Sequence, residues 1–349
     1  MDNISKLKEE CRKYIAQSKK INDKFAQQIQ MGLTLKIFYF YINEFPKNYD
    51  PTKKLIDIFK NSNLILSSLN NISKNVSVFT FKKKEIKKSF DDKKVAKLFS
   101  QIWPNLTDKV YYDEPFEYTK ERFIKNHLDP YKIFEKKICL DAGCGSGKFS
   151  VALKKFGAKK VIGVDLGEKG LKFAKNKLKQ KKIKGIIYKK SSLLKLPFAN
   201  KSFDLVWSNG VIHHTSDYEK CIYEFSRVLK KGGILFLYVS GRCGLYEILQ
   251  DTLRKSLVNF PKDLFINYLS SLNINSGRMY WITDSCFAPY NWKSKKQIIS
   301  LLKKYNFNEI KQLERGLKID HIEQITTGLP YAKIKYGEGQ LKFLAKLKN

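Results

Sequence analysis

Residues 140–147 read Leu140-Asp141-Ala142-Gly143-Cys144-Gly145-Ser146-Gly147, and they join a short apolar run, Ile138-Cys139-Leu140, to a helical stretch from Lys148 to Phe156. Within that stretch Phe149, Ala152 and Leu153 share a face. A strand handing over to a helix through glycines makes a tight turn in which a ligand can approach the backbone, and the helix start offers N–H groups with no partner in the helix. A dinucleotide fingerprint, G-x-G-x-x-G, would need a third glycine where Lys148 stands; the spacing here is D-x-G-x-G-x-G. The next apolar run, Val161-Ile162-Gly163-Val164, ends on Asp165, 20 residues beyond Gly145, where a carboxylate can take both hydroxyls of a ribose.

The same rhythm continues downstream. A helix is predicted from Glu168 to about Lys181, strands at Ile186–Tyr188, Phe203–Trp207 and Ile234–Val239, and a helix from Tyr218 to Leu229. Alternating strands and helices predict an α/β fold, a mainly parallel sheet with helices on both faces. A helix at Ser294–Tyr305 and strands near Asn308–Leu313 and Leu341–Leu347 finish it, after a helical, aromatic-rich insertion. Upstream, helical spacing runs to about residue 45, breaks at Pro46 and Asn48-Tyr49-Asp50-Pro51, resumes from Thr52 to Leu69 and stops at Asn70-Asn71-Ile72-Ser73. Two more helices are expected over 91–103 and 115–126. The domain organisation so read is a helical N-terminal domain at 1–80, a helical linker or lid at 81–135, and an α/β domain at 136–349 whose insertion, 241–293, caps the substrate.

Four motifs in this order, LDAGCGSG (140–147), VIGVD (161–165), LPFANKSFDLVWSNGVIHH (196–214) and LKKGGILFL (229–237), resemble the class I S-adenosylmethionine-dependent methyltransferases, particularly the type 11 group related to ubiquinone and menaquinone biosynthesis. The resemblance implies a Rossmann-like sheet and S-adenosyl-L-methionine as cofactor. It places Asp141, Gly143, Cys144, Gly145 and Gly147 around the methionine part, Asp165 on the ribose and Leu166 beside the adenine. Asn209 would lie near the methyl group. Ser192, followed by Leu193, stands where relatives commonly carry an acid toward the adenine amino group, so a hydroxyl replaces a carboxylate there.

Residues after the fourth strand border the transfer site in this fold, and His213 and His214 stand there. A histidine titrates near neutrality and can accept a proton from a phenol, enol or hydroxyl, with His214 preferred; the competing reading is a pair that only shapes the loop. The N/D-P-P-Y signature of adenine and glutamine amino-methylation is replaced by Ser208-Asn209-Gly210-Val211, and no cysteine has the prolyl context needed for attack on pyrimidine C5. Tyr280, Trp281, Phe287, Tyr290 and Trp292 cluster where relatives place a lid; Tyr280, Trp281, Tyr290 and Trp292 are the candidate substrate contacts, with ordinary core as the alternative. Asp320-His321 and Tyr336-Gly337-Glu338-Gly339 read as exposed turns that could join the rim.

The chain has 349 residues, with 67 Lys+Arg against 33 Asp+Glu and a formal charge of +34, but only 7 of the basic residues are Arg, the side chain best shaped for phosphate. The excess is concentrated away from the motifs: residues 151–200 hold 15 basic and 2 acidic residues, while 201–250 hold 6 and 5. A nearly neutral window after the fourth strand argues against a polyanionic acceptor, so a small-molecule substrate is expected and nucleic acid is not. No apolar run reaches the roughly 20 residues of a membrane span, no secretory leader is visible, and six scattered cysteines without C-x-x-C fit a reducing cytoplasm with no metal site. Two other readings stay open: an RNA-modifying methyltransferase that uses the Lys-rich faces, and a cofactor-binding scaffold without turnover.

Overall fold

Ile138–Ala142 (β1) has parallel partners on both sides, and its side chains leave alternately for two separate cores. The structure is a computed structural model describing residues 2–21, 24–75, 91–100, 106–242, 244–258, 260–272, 276–313 and 331–348. β1 pairs with Lys160–Asp165 (β2) in the register Ile138↔Lys160 to Ala142↔Val164, and with Phe203–Asn209 (β4), where Asp141 lies opposite Trp207. Ile186–Lys190 (β3) extends the sheet beyond β2, and Leu229–Ser240 (β5) lies parallel to β4. Gln340–Leu347 (β7) runs antiparallel to β5 and to Phe307–Gln312 (β6), giving the order β3-β2-β1-β4-β5-β7-β6. Chain direction across the sheet reverses at β1 and β4, so a crevice is expected at their carboxyl ends.

One face of the sheet sends Leu140, Val206 and Leu235 against helices Tyr218–Val228 and Lys295–Lys304, through Ile222, Phe225, Ile298 and Leu302. The other sends Cys139, Trp207 and Phe236 against Glu114–Lys125, Pro130–Phe134, Lys148–Lys155 and Glu168–Gln180. Trp207 and Phe236, paired across β4 and β5, stack 3.7 Å apart at 8°, a contact contributing about 1 kcal/mol beyond the area it buries. With Asp92–Ser100 these elements form the first of two units, comprising Phe90–Arg242, Pro289–Thr327 and Glu338–Asn349.

The second unit comprises Met1–Ser89, Cys243–Ala288 and Gly328–Gly337 and is helical among its described residues. Asn3–Ser18 (α1) packs on Thr52–Asn75 (α3) and on Leu245–Ser256, and Tyr14 meets Phe59 edge-on at 5.3 Å. Helices Lys24–Glu44 (α2), Lys262–Ser271, Ser276–Phe287 and Ala332–Tyr336 complete it. The described helices of the 241–293 segment thus pack with N-terminal residues. Among the described residues no helix is long and apolar enough to cross a membrane.

Three elements differ from their sequence reading for visible reasons. α3 continues to Asn75 through the Asn-rich segment, because Asn70 Nδ2 donates to Gln17 of α1, at 3.2 Å to the carbonyl and 2.9 Å to the side chain. β5 begins at Leu229 and takes in Lys230-Lys231-Gly232-Gly233, with the register shift absorbed between Phe203 and Leu205. Tyr336, expected in an exposed turn, is 3% exposed and packs against Tyr41 and Phe45.

Candidate active site

The glycine loop follows the carboxyl end of β1. Gly143, Gly145 and Gly147 have φ of +83°, +51° and +82°, which side chains rarely adopt. Neighbours enforce glycine too: a Cβ on Gly143 would meet Val211 Cγ1 at 2.4 Å, and one on Gly147 would meet Tyr188 Oη at 2.2 Å. Asp165, half-buried at the end of β2, holds the loop, its carboxylate accepting the Gly145 N–H at 2.9 Å and the Gly167 N–H at 2.7 Å. Burial raises its pKa against these hydrogen bonds.

Asp141 is 2% exposed and accepts a hydrogen bond from Ser150 Oγ at 2.6 Å. Burial pushes its carboxyl up from 3.8 to about 7; the Ser150 bond opposes the rise and the charge of Asp165 adds to it. Cys144 is buried, its N–H donates to Val164 O at 3.0 Å, and burial drives its thiol far above the usual range. Leu166 and Ser192 are half-buried and Leu193 buried; Ser192 Oγ accepts the Leu194 N–H at 3.1 Å. Asn209, half-buried, ends β4 opposite Tyr238.

The buried hydroxyls Ser146 Oγ, inside the loop, and Ser208 Oγ, beside Asn209, have no hydrogen-bond partner among the described residues. Two carboxylates, two such hydroxyls and a left-handed glycine turn at the switch point suit a ligand with an amino-acid end and a ribose, and S-adenosylmethionine has both.

From Asn209 the chain runs through Gly210, whose N–H donates to Tyr238 O at 3.0 Å, and Val211, which covers Gly143, into a single 3-10 turn, Ile212–His214. This brings both histidines next to the loop. They are 2% and 5% exposed, with ring centroids 4.2 Å apart. Residues 289–292 close over them: His214 Nδ1 lies 2.8 Å from Pro289 O, the Asn291 N–H donates to His213 O at 2.7 Å, and the Tyr290 ring stacks on His213 at 4.9 Å. Trp292 stacks on Tyr290 at 4.7 Å, and Phe99 lies 5.3 Å from His214.

The four aromatic candidates therefore separate. Tyr290 and Trp292 join the histidines, whereas Trp281 belongs to the helical unit, where its indole N–H donates to Tyr246 Oη at 3.1 Å and its ring packs on Phe38 and Tyr41. The backbone of Tyr280 lies in the same helix of that unit. Asp320 and His321 fall outside the described residues. Sequence reasoning passed over Ser150, Val211, Tyr188, Ser240 and Pro289. Tyr188 alone had a signal, sharing the inward alternation of Ile186 in β3; it packs on Gly163 and its hydroxyl donates to Gly147 O at 3.2 Å. Among the described residues no cluster of His, Cys, Asp and Glu could hold a metal ion.

Residues 140–237 match the profile of a methyltransferase domain. A ubiquinone biosynthesis O-methyltransferase of Pelagibacter ubique is 34% identical over 163 residues, 44% of this chain and 63% of that protein. A tRNA U34 carboxymethyltransferase of Campylobacter hominis is 32% identical over 121 residues, 34% of this chain and 41% of that protein. The crystal structure of YcgJ from Bacillus subtilis aligns with a TM-score of 0.42 at 17% identity, covering 67% of this chain and 98% of that one. The chain thus spans less than two thirds of the length of the first two relatives. The glycine loop, the acid ending β2 and the histidine turn all fall inside the matched stretch, and residues 140–237 form a class I, S-adenosylmethionine-dependent methyltransferase domain of the type 11 group.

Proposed function

We propose that the whole protein transfers a methyl group to a small molecule, and that the acceptor is a hydroxyl or other proton-bearing nucleophile deprotonated at His214. When bound, S-adenosylmethionine supplies an electrophilic methyl carried on a sulfonium. The chain's own part is to orient and to move a proton: Asp165 holds the ribose hydroxyls, while Asp141, Gly143, Gly145 and Gly147 hold the amino-acid end. Asn209, at the end of β4, borders the transfer point, and Tyr290 with Trp292 walls the acceptor. Displacement at a methyl carbon is in-line, so holding the two partners in near-attack geometry supplies much of the rate.

The observation that carries the reading is the contact of His214 Nδ1 with Pro289 O. A carbonyl only accepts, so Nδ1 bears the proton and the basic lone pair of the neutral ring is on Nε2. An acceptor already nucleophilic without deprotonation, such as an amine, would need no such ring. Five described cysteines are free thiols, which suits a reducing cytoplasm.

RNA as acceptor is the second reading, favoured by one relative named for tRNA and by exposed lysines on Glu168–Gln180. Part of that basic face is already engaged, since Lys177 and Lys181 both reach Asp108 and Lys190 pairs with Glu168. Incubation with methyl-labelled S-adenosylmethionine and host extract, partitioned into small molecules, lipid, RNA and protein, tests both. Label in the small-molecule pool is the expected result; label in RNA would replace the first reading by the second, and label in no pool would defeat both.

A further inference from the structure

We infer that the exposed face of α3 docks on an anionic lipid surface, with Leu64, Ile65 and Ile72 entering the apolar layer and lysines of the same helix lying among the headgroups. The helical unit contributes no residue to the methyl-transfer reading above, yet its surface is where apolar side chains are left in water. Of the thirteen large apolar or aromatic side chains exposed among the described residues, nine belong to it. Within that unit α3 combines such side chains with excess positive charge. Leu64 is 68% exposed, Ile72 59% and Ile65 41%.

Helical spacing makes these residues one patch. Leu64, Ser68 and Ile72 follow at four-residue steps and Ile65 stands seven before Ile72, so the four share a face about 12 Å long. It lies opposite the packed face: Leu55, Ile56, Phe59, Ser62 and Leu66 are buried, and α3 lies against α1 and α2. In the first half of the helix the exposed side carries Lys53, Asp57, Lys60 and Asn61 instead. Lys54 is paired with Glu44 at 3.2 Å. Overall α3 has four lysines and one acid, Asp57, so its outer surface runs from cationic near the start to aliphatic near the end.

The chemistry of this surface chooses its occupant. A nucleic acid would neutralise the lysines but leave three aliphatic side chains in water. A second copy in a two-fold contact would set the same lysines against one another, in a chain already at +34. Binding energy at protein partners is concentrated in Trp, Tyr and Arg, and the patch has none of these, only Leu, Ile and Ser. A lipid surface accepts aliphatic chains of any shape to a depth of about 5–10 Å, and anionic headgroups attract lysines held just above that depth. A helix entering by its second half presents both groups in that order.

The test uses the full chain and needs no turnover. Co-sedimentation with vesicles of phosphatidylcholine, alone or mixed with phosphatidylglycerol, should show at least tenfold tighter binding to the mixed vesicles, weakened by added salt. The double variant Leu64→Glu, Ile72→Glu should lose at least tenfold in affinity and Lys53→Gln, Lys60→Gln severalfold, each keeping the circular dichroism of the parent because the positions are exposed. As a control, Leu264 and Tyr268 are exposed at 40% and 36% on Lys262–Ser271, where Lys262 and Asp263 balance; glutamate at both should leave binding as in the parent. No retention on mixed vesicles, retention that the α3 variants leave unchanged, or an equal loss in the control would overturn the inference. Equal binding to both kinds of vesicle would also overturn it. So would a parent that sediments as a dimer where the Leu64→Glu, Ile72→Glu variant does not, which would make the face an interface between copies. None of these outcomes depends on methyl transfer, so the docking surface and the methyltransferase reading stand or fall separately.

Discussion

Replacing Asp141 by Asn should make the protein more stable near pH 8 and leave it almost unchanged near pH 4. Asp141 is buried at 2% exposure with one hydrogen bond, from Ser150 Oγ, and its pKa is raised from 3.8 to about 7 by burial first. A carboxyl whose pKa is raised on folding binds its proton more tightly in the folded than in the unfolded chain. The part of the stability that Asp141 sets is therefore greatest below about pH 4, where both states are protonated. It falls as pH rises toward 7 and is level above that. At about 1.4 kcal/mol for each pH unit of displacement, the full loss is about 4 kcal/mol. Asn has the same shape and cannot ionise, so the variant escapes this loss; the Ser150 bond already acts on the pKa of about 7, so the expected gain near pH 8 is the full difference, about 4 kcal/mol. The assay is urea unfolding without cofactor at a series of pH values, and the measured quantity is the difference between variant and parent. A difference that rises between about pH 4 and pH 7 and then flattens is the expected shape. A difference independent of pH would refute the reasoning, because it would mean that Asp141 ionises in the folded protein as readily as in the unfolded chain.

Gly147→Ala would place a Cβ 2.2 Å from Tyr188 Oη at a φ of +82°; a loss of at least about 2 kcal/mol is expected in urea unfolding, and the double variant with Tyr188→Phe should recover part of it. Asp165→Ala removes the acceptor of the Gly145 and Gly167 N–H groups, so calorimetry should show S-adenosylmethionine affinity reduced at least tenfold, with Asp165→Asn intermediate. Trp207→Ala empties a fully buried site stacked on Phe236 and should cost about 3–5 kcal/mol of stability.

How much of this was legible depended on whether the signal was local. The D-x-G-x-G-x-G loop and the acid ending β2 follow from backbone geometry within a few residues, and the sequence carries that information directly. The strand runs were visible because buried parallel strands are continuously apolar. Helix ends set by distant partners were not visible: α3 outlasts its Asn-rich segment only because Gln17 lies across from Asn70. The partners of the histidines were hidden for the same reason, since Pro289 acts through a main-chain carbonyl 75 residues from His214, and a carbonyl leaves no mark on residue identity. The aromatic cluster at 280–292 looked like one group, yet its chain crosses from one unit to the other between Ala288 and Pro289.

The charge of the chain and the charge of its site have opposite signs, and this bears on which form of the cofactor is held. Against a net +34, the carboxyl ends of β1 and β2 set Asp141 and Asp165 close enough for the charge of the second to raise the pKa of the first, and burial raises both. Such a pair is costly while it faces no cation and is relieved by one. Before methyl transfer the cofactor offers two positive centres, an ammonium and a sulfonium; afterwards it offers only the ammonium. The expected consequence is that the acid pair favours the methyl donor over its demethylated product, and that neutralising Asp141 narrows that preference. Parallel calorimetric titrations of the parent and Asp141→Asn with both molecules measure it. The donor should lose more affinity than the product on substitution, and an equal loss for the two would show that the carboxylate recognises only the amino-acid end they share.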